Sequence, residues 1–229
     1  MLFDFIRSIQ AGTLDFIEVV IYLIVALMVI FLVMPFHEWA HAFTAYKLGD
    51  TSVKYRKRLT LNPLEHIDPV GALMIILLGF GWAKPVPIND RNFKNAKVGM
   101  GITALAGPVA NLVAALVGGL IYNAILTFAP LEFYMGFGRY VIYFFFLYVE
   151  LNIMLAVFNL LPIPPLDGSK ILFMFLPDKW VYTLYKYENL FFVAIFALVW
   201  LDILPLGYIS NALFELIDWI TALPFAVFG

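Results

Sequence analysis

The first long apolar run, Ile17 to Phe36, is broken only by Glu18 and passes directly into a mixed segment, His37-Glu-Trp-Ala-His41. About 20 apolar residues are enough to cross a hydrocarbon core. The pattern predicts one helix from Phe16 to about Leu48, with Gly49 as its C-cap. At ~1.5 Å per residue that helix is roughly 50 Å long against a core of about 30 Å, so it must tilt, bend or protrude. Pro35 would supply a bend. Ala72 to Trp82 is apolar but short for a crossing, and Gly79-Phe-Gly-Trp-Ala-Lys-Pro-Val-Pro-Ile-Asn89 follows it. Residues 70–90 therefore read as a re-entrant, partly extended loop, tolerated at membrane depth only where it is buried in protein or lines a wet cavity.

A second span is predicted from Met100 to about Thr127 and a third from Tyr140 to Leu161, ended by Pro162, Pro164 and Pro165. A fourth would run from about Leu190 to Leu204. The apolar stretch after Leu206, with Glu215 and Asp218, fits either a fifth span or an interfacial helix. At the other end, Leu2, Phe5, Ile6 and Ile9 fit the stripe of a short interfacial helix. The expected fold is an all-α polytopic membrane protein of about four to six transmembrane helices. It is read as one domain over 1–229, with a core at 17–175 and additional C-terminal helices at 190–229.

Composition agrees with the pattern. The chain is 63% hydrophobic and 13% charged, against about 45–50% and 25% for a soluble domain. The lipid bilayer is thus one partner. The formal net charge of −2 argues against nucleic acid as another. There are no cysteines, which excludes thiolate metal sites, and residues 1–14 lack the pattern of a cleaved signal peptide. Lys54, Arg56, Lys57 and Arg58 place the loop after the first helix in the cytoplasm. The histidine pair then lies toward the cytoplasmic end of a multi-pass protein of the cell membrane. The proline-rich turn puts Asp167 on unwound chain at the same level.

His37 and His41 fall one helical turn apart on one face, so both imidazoles reach a single metal, with Glu38 placed to take a proton from water. Zinc needs a third protein ligand, and Asp167 in Asn159-Leu-Leu-Pro-Ile-Pro-Pro-Leu-Asp-Gly168 is the best candidate. The amide of Asn159 would stabilise an oxyanion, and Asn152, two turns earlier on the same face, would extend that polar lining. A substrate helix in lipid hides its peptide groups in its own hydrogen bonds and must be unwound. An extended edge offers replacement bonds by strand addition, and the loop of Gly81, Trp82, Ala83, Lys84, Pro85, Val86 and Pro87 is the place for it. His66 is expected to order its loop more than to bind metal. Glu150 would line the cavity or serve as a protonated donor. Gly107 and Asn111 fit close helix packing and a bridging amide as well as they fit catalysis.

Taken together, His37-Glu38-x-x-His41, the Gly-Trp-Ala-Lys-Pro-Val-Pro-Ile-Asn stretch at 81–89, Gly107-Pro-x-x-Asn111 and Asn159-x-x-Pro-x-Pro-Pro-x-Asp-Gly168 resemble the site-2 proteases. These are the intramembrane zinc metalloproteases of peptidase family M50, and the likeness is to the small prokaryotic type without a PDZ or CBS domain. The resemblance implies one Zn2+ held by His37, His41 and Asp167, Glu38 as the base and Asn159 facing the scissile bond. It implies a substrate in or near a transmembrane segment of another membrane protein, and leaves the oligomeric state open. The rival functions are a metal transporter using the same three ligands and a non-proteolytic scaffold.

Overall fold

The computed structural model describes residues 16–78, 81–201, 203–204 and 206–227. The stretch holding Leu2, Phe5, Ile6 and Ile9 lies outside them. Helix α1 (Phe16–Met28) continues through a π-helical turn, Val29–Val33, into α2 (Met34–Lys47). The Met34 N–H bonds to the Val29 carbonyl across this wider turn. Pro35 then falls in the first turn of α2, where a missing N–H costs least. The irregularity the long helix needs is therefore a π turn placed just ahead of the proline, a known cause of helix bending.

After α2 the chain reverses at Gly49, whose φ of +118° belongs to the left-handed region that glycine adopts without steric cost. A loop leads to α3 (Pro69–Leu78), and residues 81–89 that follow are neither helix nor named strand. An isolated antiparallel bridge pairs Ile67 with Ala83. The segment expected as one partly extended loop thus begins with a ten-residue helix and continues as non-helical chain. Helix α4 (Ala96–Phe128, 33 residues) opens on Asn95, whose side chain accepts from the Val98 N–H at 3.1 Å. Helices α5 (Gly138–Asn159), α6 (Asp167–Phe173), α7 (Asp178–Lys186), α8 (Glu188–Trp200) and α9 (Leu206–Ala222) complete the described chain.

Among the described residues, three helical stretches are long and apolar enough to cross a membrane: Val19–Lys47, Ala96–Phe128 and Gly138–Asn159. The protein is an all-α membrane protein, and α4 is its centre, packed against α2, α5, α6 and α9. Small residues at Gly99, Thr103, Gly107, Ala110, Ala114 and Ala115 keep one side of α4 narrow enough for those neighbours. Leu105, Val109, Val113 and Val117 form an exposed stripe at four-residue spacing on the other side, the surface a lipid-facing helix presents. Buried Ala115, Val149, Ile153, Val157, Leu206 and Ile217 join α4, α5 and α9 in one apolar cluster. Val25, Met28, Val33 and Leu147 join the first helix to α5.

Two expectations change at the C-terminal end. The fourth span expected over Leu190 to Leu204 is α8, which has 13 residues and so reaches about 20 Å, less than the hydrocarbon core. Helix α9 packs on α4 and α5 and is tied there by Asn123 Nδ2, which donates to Asp218 Oδ1 and Thr221 Oγ1, each at 3.0 Å. The stretch left between a span and an interfacial helix is therefore a bundle helix held by interhelical polar bonds.

Candidate metal centre

Helix α2 presents His37 and His41 to α4 at the point where α4 has no side chain. A Cβ on Gly107 would lie 2.5 Å from both His37 Cε1 and His41 Nε2, so glycine is what lets two imidazoles fit between the helices. Asp167 reaches the same point from the first residue of α6. Only residues 160–166 before it are non-helical. This corrects the expectation of a ligand on unwound chain: the prolines remove donors up to Pro165, and a helix can restart at once because its first turn has no intrahelical N–H partners to satisfy.

The three donor atoms form a nearly equilateral triangle. His37 Nε2 and His41 Nε2 are 3.0 Å apart, and Asp167 Oδ2 is 3.2 Å from the first and 3.1 Å from the second. All three residues are buried. The Thr103 carbonyl accepts the Nδ1–H of His41 at 2.7 Å, which leaves Nε2 as a bare lone pair pointing at a carboxylate oxygen. Such an arrangement is repulsive unless a proton or cation sits among the three atoms. Ligands about 2.0–2.2 Å from a tetrahedral zinc are separated by roughly 3.4 Å, so the triangle fits that ion with little adjustment. Among the described residues, this is the group of three or more metal-ligating side chains that converges.

The triangle opens on a cavity of about 170 Å³. Glu38, Asn159 and Lys170 supply its other polar walls, while Pro85, Val86, Ile88, Met100 and Ala104 supply apolar ones. Glu38 Oε2 accepts the Val86 N–H at 3.2 Å. Asn159 donates one N–H to the Leu155 carbonyl at 3.0 Å and has a second N–H to offer. Lys170 Nζ stands 3.3 Å from Asp167 Oδ1, one turn along α6. Lys170 was not among the expected site residues; its three-residue offset from Asp167 was the available signal.

The remaining expected site residues divide. Pro85 and Val86 line the cavity, and Gly81, Trp82, Ala83, Lys84 and Pro87 do not. Lys84 instead turns its backbone outward, its N–H to the His66 carbonyl at 2.8 Å and its carbonyl to Arg58 Nη1 at 3.3 Å. His66 is fully buried, with Nε2 bonded to the Thr60 carbonyl at 2.8 Å, as befits a loop-ordering residue. Asn152 is buried and donates to the Tyr148 carbonyl at 2.8 Å, so it does not extend the cavity lining. Glu150 is exposed on α5 and also lies off the cavity. Asn111 is fully buried one turn beyond Gly107, with both amide atoms unpartnered.

Outside the spans, Asp50 is the other buried carboxylate near the site. Burial pushes its carboxyl up, but hydrogen bonds from Ser52, the Asn89 N–H and the Asn92 amide outweigh that and hold it below the ordinary value.

The family model "Peptidase family M50" matches residues 134–201. "Putative zinc metalloprotease YwhC" of Bacillus subtilis is 42% identical over 151 residues, covering 66% of this chain and 67% of that protein. The chain belongs to peptidase family M50. "Putative zinc metalloprotease Rip2" is 36% identical over 137 residues in Mycolicibacterium smegmatis and 32% over 136 in Mycobacterium tuberculosis H37Rv. Each of these alignments covers 58% of this chain, which spans about half the length of those mycobacterial relatives (49%). No solved structure matches the chain. The stretch matched by the M50 family model starts ahead of α5 and carries Asn159 and Asp167, while His37 and His41 lie N-terminal to it.

Proposed function

We propose that this M50 chain is an intramembrane endopeptidase, cutting peptide bonds in or near transmembrane segments of other membrane proteins. As a member of the family it is a zinc metalloprotease. The observation that carries the proposal is the meeting of a His-His-Asp triangle, a carboxylate and an extended backbone edge around one cavity in a bundle of apolar helices. His37, His41 and Asp167 hold the zinc. When bound, zinc polarises the scissile carbonyl and lowers the pKa of water toward about 7.

The chain's own residues do the rest. Glu38 takes the proton of the attacking water and passes it to the leaving amine, and the Val86 N–H on its Oε2 fixes the orientation of the carboxylate while it does so. The free N–H of Asn159 faces the oxyanion. Residues 81–89 receive the unwound substrate by strand addition. Pro85 and Pro87 contribute carbonyls there but no N–H groups, so the edge is richer in acceptors than in donors and takes bonds from the substrate's amides. The non-helical turn 160–166 gives water a path to the site. With Lys54, Arg56 and Lys57 on the same side, that path opens to the cytoplasm of a multi-pass cell-membrane protein.

The test is zinc analysis of the purified protein with cleavage assays on single-span membrane substrates, using Glu38→Gln as control. Wild type should bind one zinc per chain and cut. Glu38→Gln should keep the zinc and lose roughly 10²–10⁴-fold in rate, the contribution of a positioned acid–base group. Metal passage through vesicles that survives in Glu38→Gln, with nothing cut by wild type, would establish a transporter instead.

A further inference from the structure

We propose that Asp50 is a positioning residue for substrate: it fixes the register of the 85–88 edge against the metal helix. The inference rests on the reading of 81–89 as the substrate edge. Asp50 follows α2 directly, and its N–H bonds to the Ala45 carbonyl at 2.9 Å, so its carboxylate moves with the helix that carries His37, Glu38 and His41. The side chain is fully buried. A buried carboxylate is expensive unless its oxygens are filled, and here most of the filling comes from the loop. Oδ2 accepts the Asn89 N–H at 2.7 Å, and Oδ1 accepts Asn92 Nδ2 at 2.7 Å and the Ser52 N–H at 3.1 Å. Gly49 lets the strands of this clasp approach: a Cβ there would lie 2.9 Å from the Asn92 carbonyl oxygen.

The same connection holds the other end of the edge. Lys84 is tied through its N–H to His66 and through its carbonyl to Arg58. Buried Arg58 also donates to the Glu65 carbonyl, so that anchor is fixed in turn. Between Lys84 and Asn89 lie Pro85, Val86 and Ile88, the edge residues that line the cavity. The edge is thus stretched between two anchors, and the one at Asn89 is built on the metal helix itself. Releasing it lets 85–88 slide along or peel from α2, so that a bound chain no longer presents one bond to Glu38.

The test compares Asp50→Ala, Asp50→Asn and Asn92→Ala with wild type, using zinc-loaded protein and a single-span membrane substrate. Asp50→Ala, which removes three hydrogen bonds to a charged group, should raise KM about tenfold or more and spread cleavage over neighbouring bonds. Zinc content and affinity should stay at wild-type values. Asp50→Asn, which keeps one acceptor oxygen, should recover part of the loss. Asn92→Ala, an exposed position that removes a single arm, should raise KM by about threefold and lower Tm by less than Asp50→Ala, and it decides the matter if Asp50→Ala does not fold. Wild-type KM and a single cut site in these variants, with only a lowered Tm, would overturn the inference and leave the function standing. A wild type that cuts no more than Glu38→Gln would remove both together.

Discussion

At the scale of single residues, the candidate site depends on three converging donor atoms and on one missing side chain, since a Cβ on Gly107 would collide with both imidazoles. His37, Glu38, His41 and Asp167 were legible in the sequence because metal chemistry restricts both the residue types and the helical spacing. The Thr103 carbonyl that orients His41 was not, since every residue carries a carbonyl and only the packing selects one. Asn152 shares a helical face with Asn159, yet spacing gives a face and not a depth, and the structure buries it against its own helix. Gly107 was visible as a close-packing residue, but not the reason for it, which is the pair of imidazoles pressed against its Cα. Gly107→Ala should displace both rings while leaving the outer face of α4 untouched. Zinc affinity, read by chelator competition, should fall at least tenfold, the lower end of what disturbing a ligand's support costs. The Asp50 carboxyl gives a second prediction. Its folded pKa lies below its unfolded value, so its contribution is fully present above the ordinary carboxylate pKa of about 3.9. It is lost as pH falls through the depressed folded value. The Tm difference between wild type and Asp50→Asn should therefore be constant near neutrality and shrink below about pH 4.

At the scale of elements, the two long later spans were legible from apolar length alone, and their observed ends differ from the expected ones by a few residues, as fraying and capping dictate. The π turn at Val29–Val33 was not legible, because nothing in Val-Ile-Phe-Leu-Val distinguishes it from ordinary helix; only Pro35 hinted that strain would collect there. Helix α3 was hidden for a related reason. A ten-residue apolar run fits a helix or a buried strand equally well, and periodicity does not separate them. The extended half of the loop was clearer, since Pro85 and Pro87 exclude helix. That half holds Glu38 through a backbone group, so a proline scan is the right probe. Val86→Pro removes the N–H that meets Glu38 Oε2, and Val86→Ala keeps it. The proline variant should lose kcat with its zinc content intact, and the alanine variant should remain close to wild type. Equal activity in the two would show that the contact does not orient the base.

For the whole molecule, α2 and α6, which carry the three donor residues, and the end of α5 that carries Asn159 meet on one side of the bundle. The chain from Phe128 to Gly138, joining α4 to α5, lies at the opposite end, because α4 leaves the site at Gly107 and runs a further 21 residues before it stops. The structure holds no membrane, so the side facing the cytoplasm follows from the distribution of lysine and arginine. Lys54, Lys57, Arg91, Lys94, Lys179 and Lys186 all belong to loops or helices on the site side. Among the described residues, Arg139 alone stands by the far linker. This bias predicts an orientation that can be read directly, because a chain with no cysteine carries no background label. A single cysteine at Met135, which is 81% exposed beyond α4, should react with a membrane-impermeant maleimide added outside intact cells. One at exposed Lys179 in α7 should react only after the membrane is opened. The reverse pattern would turn the protein over and place the zinc on the outer side. Labelling of both from outside would mean that the helices between them do not cross the bilayer, which the length of α5, 22 residues or about 33 Å, argues against.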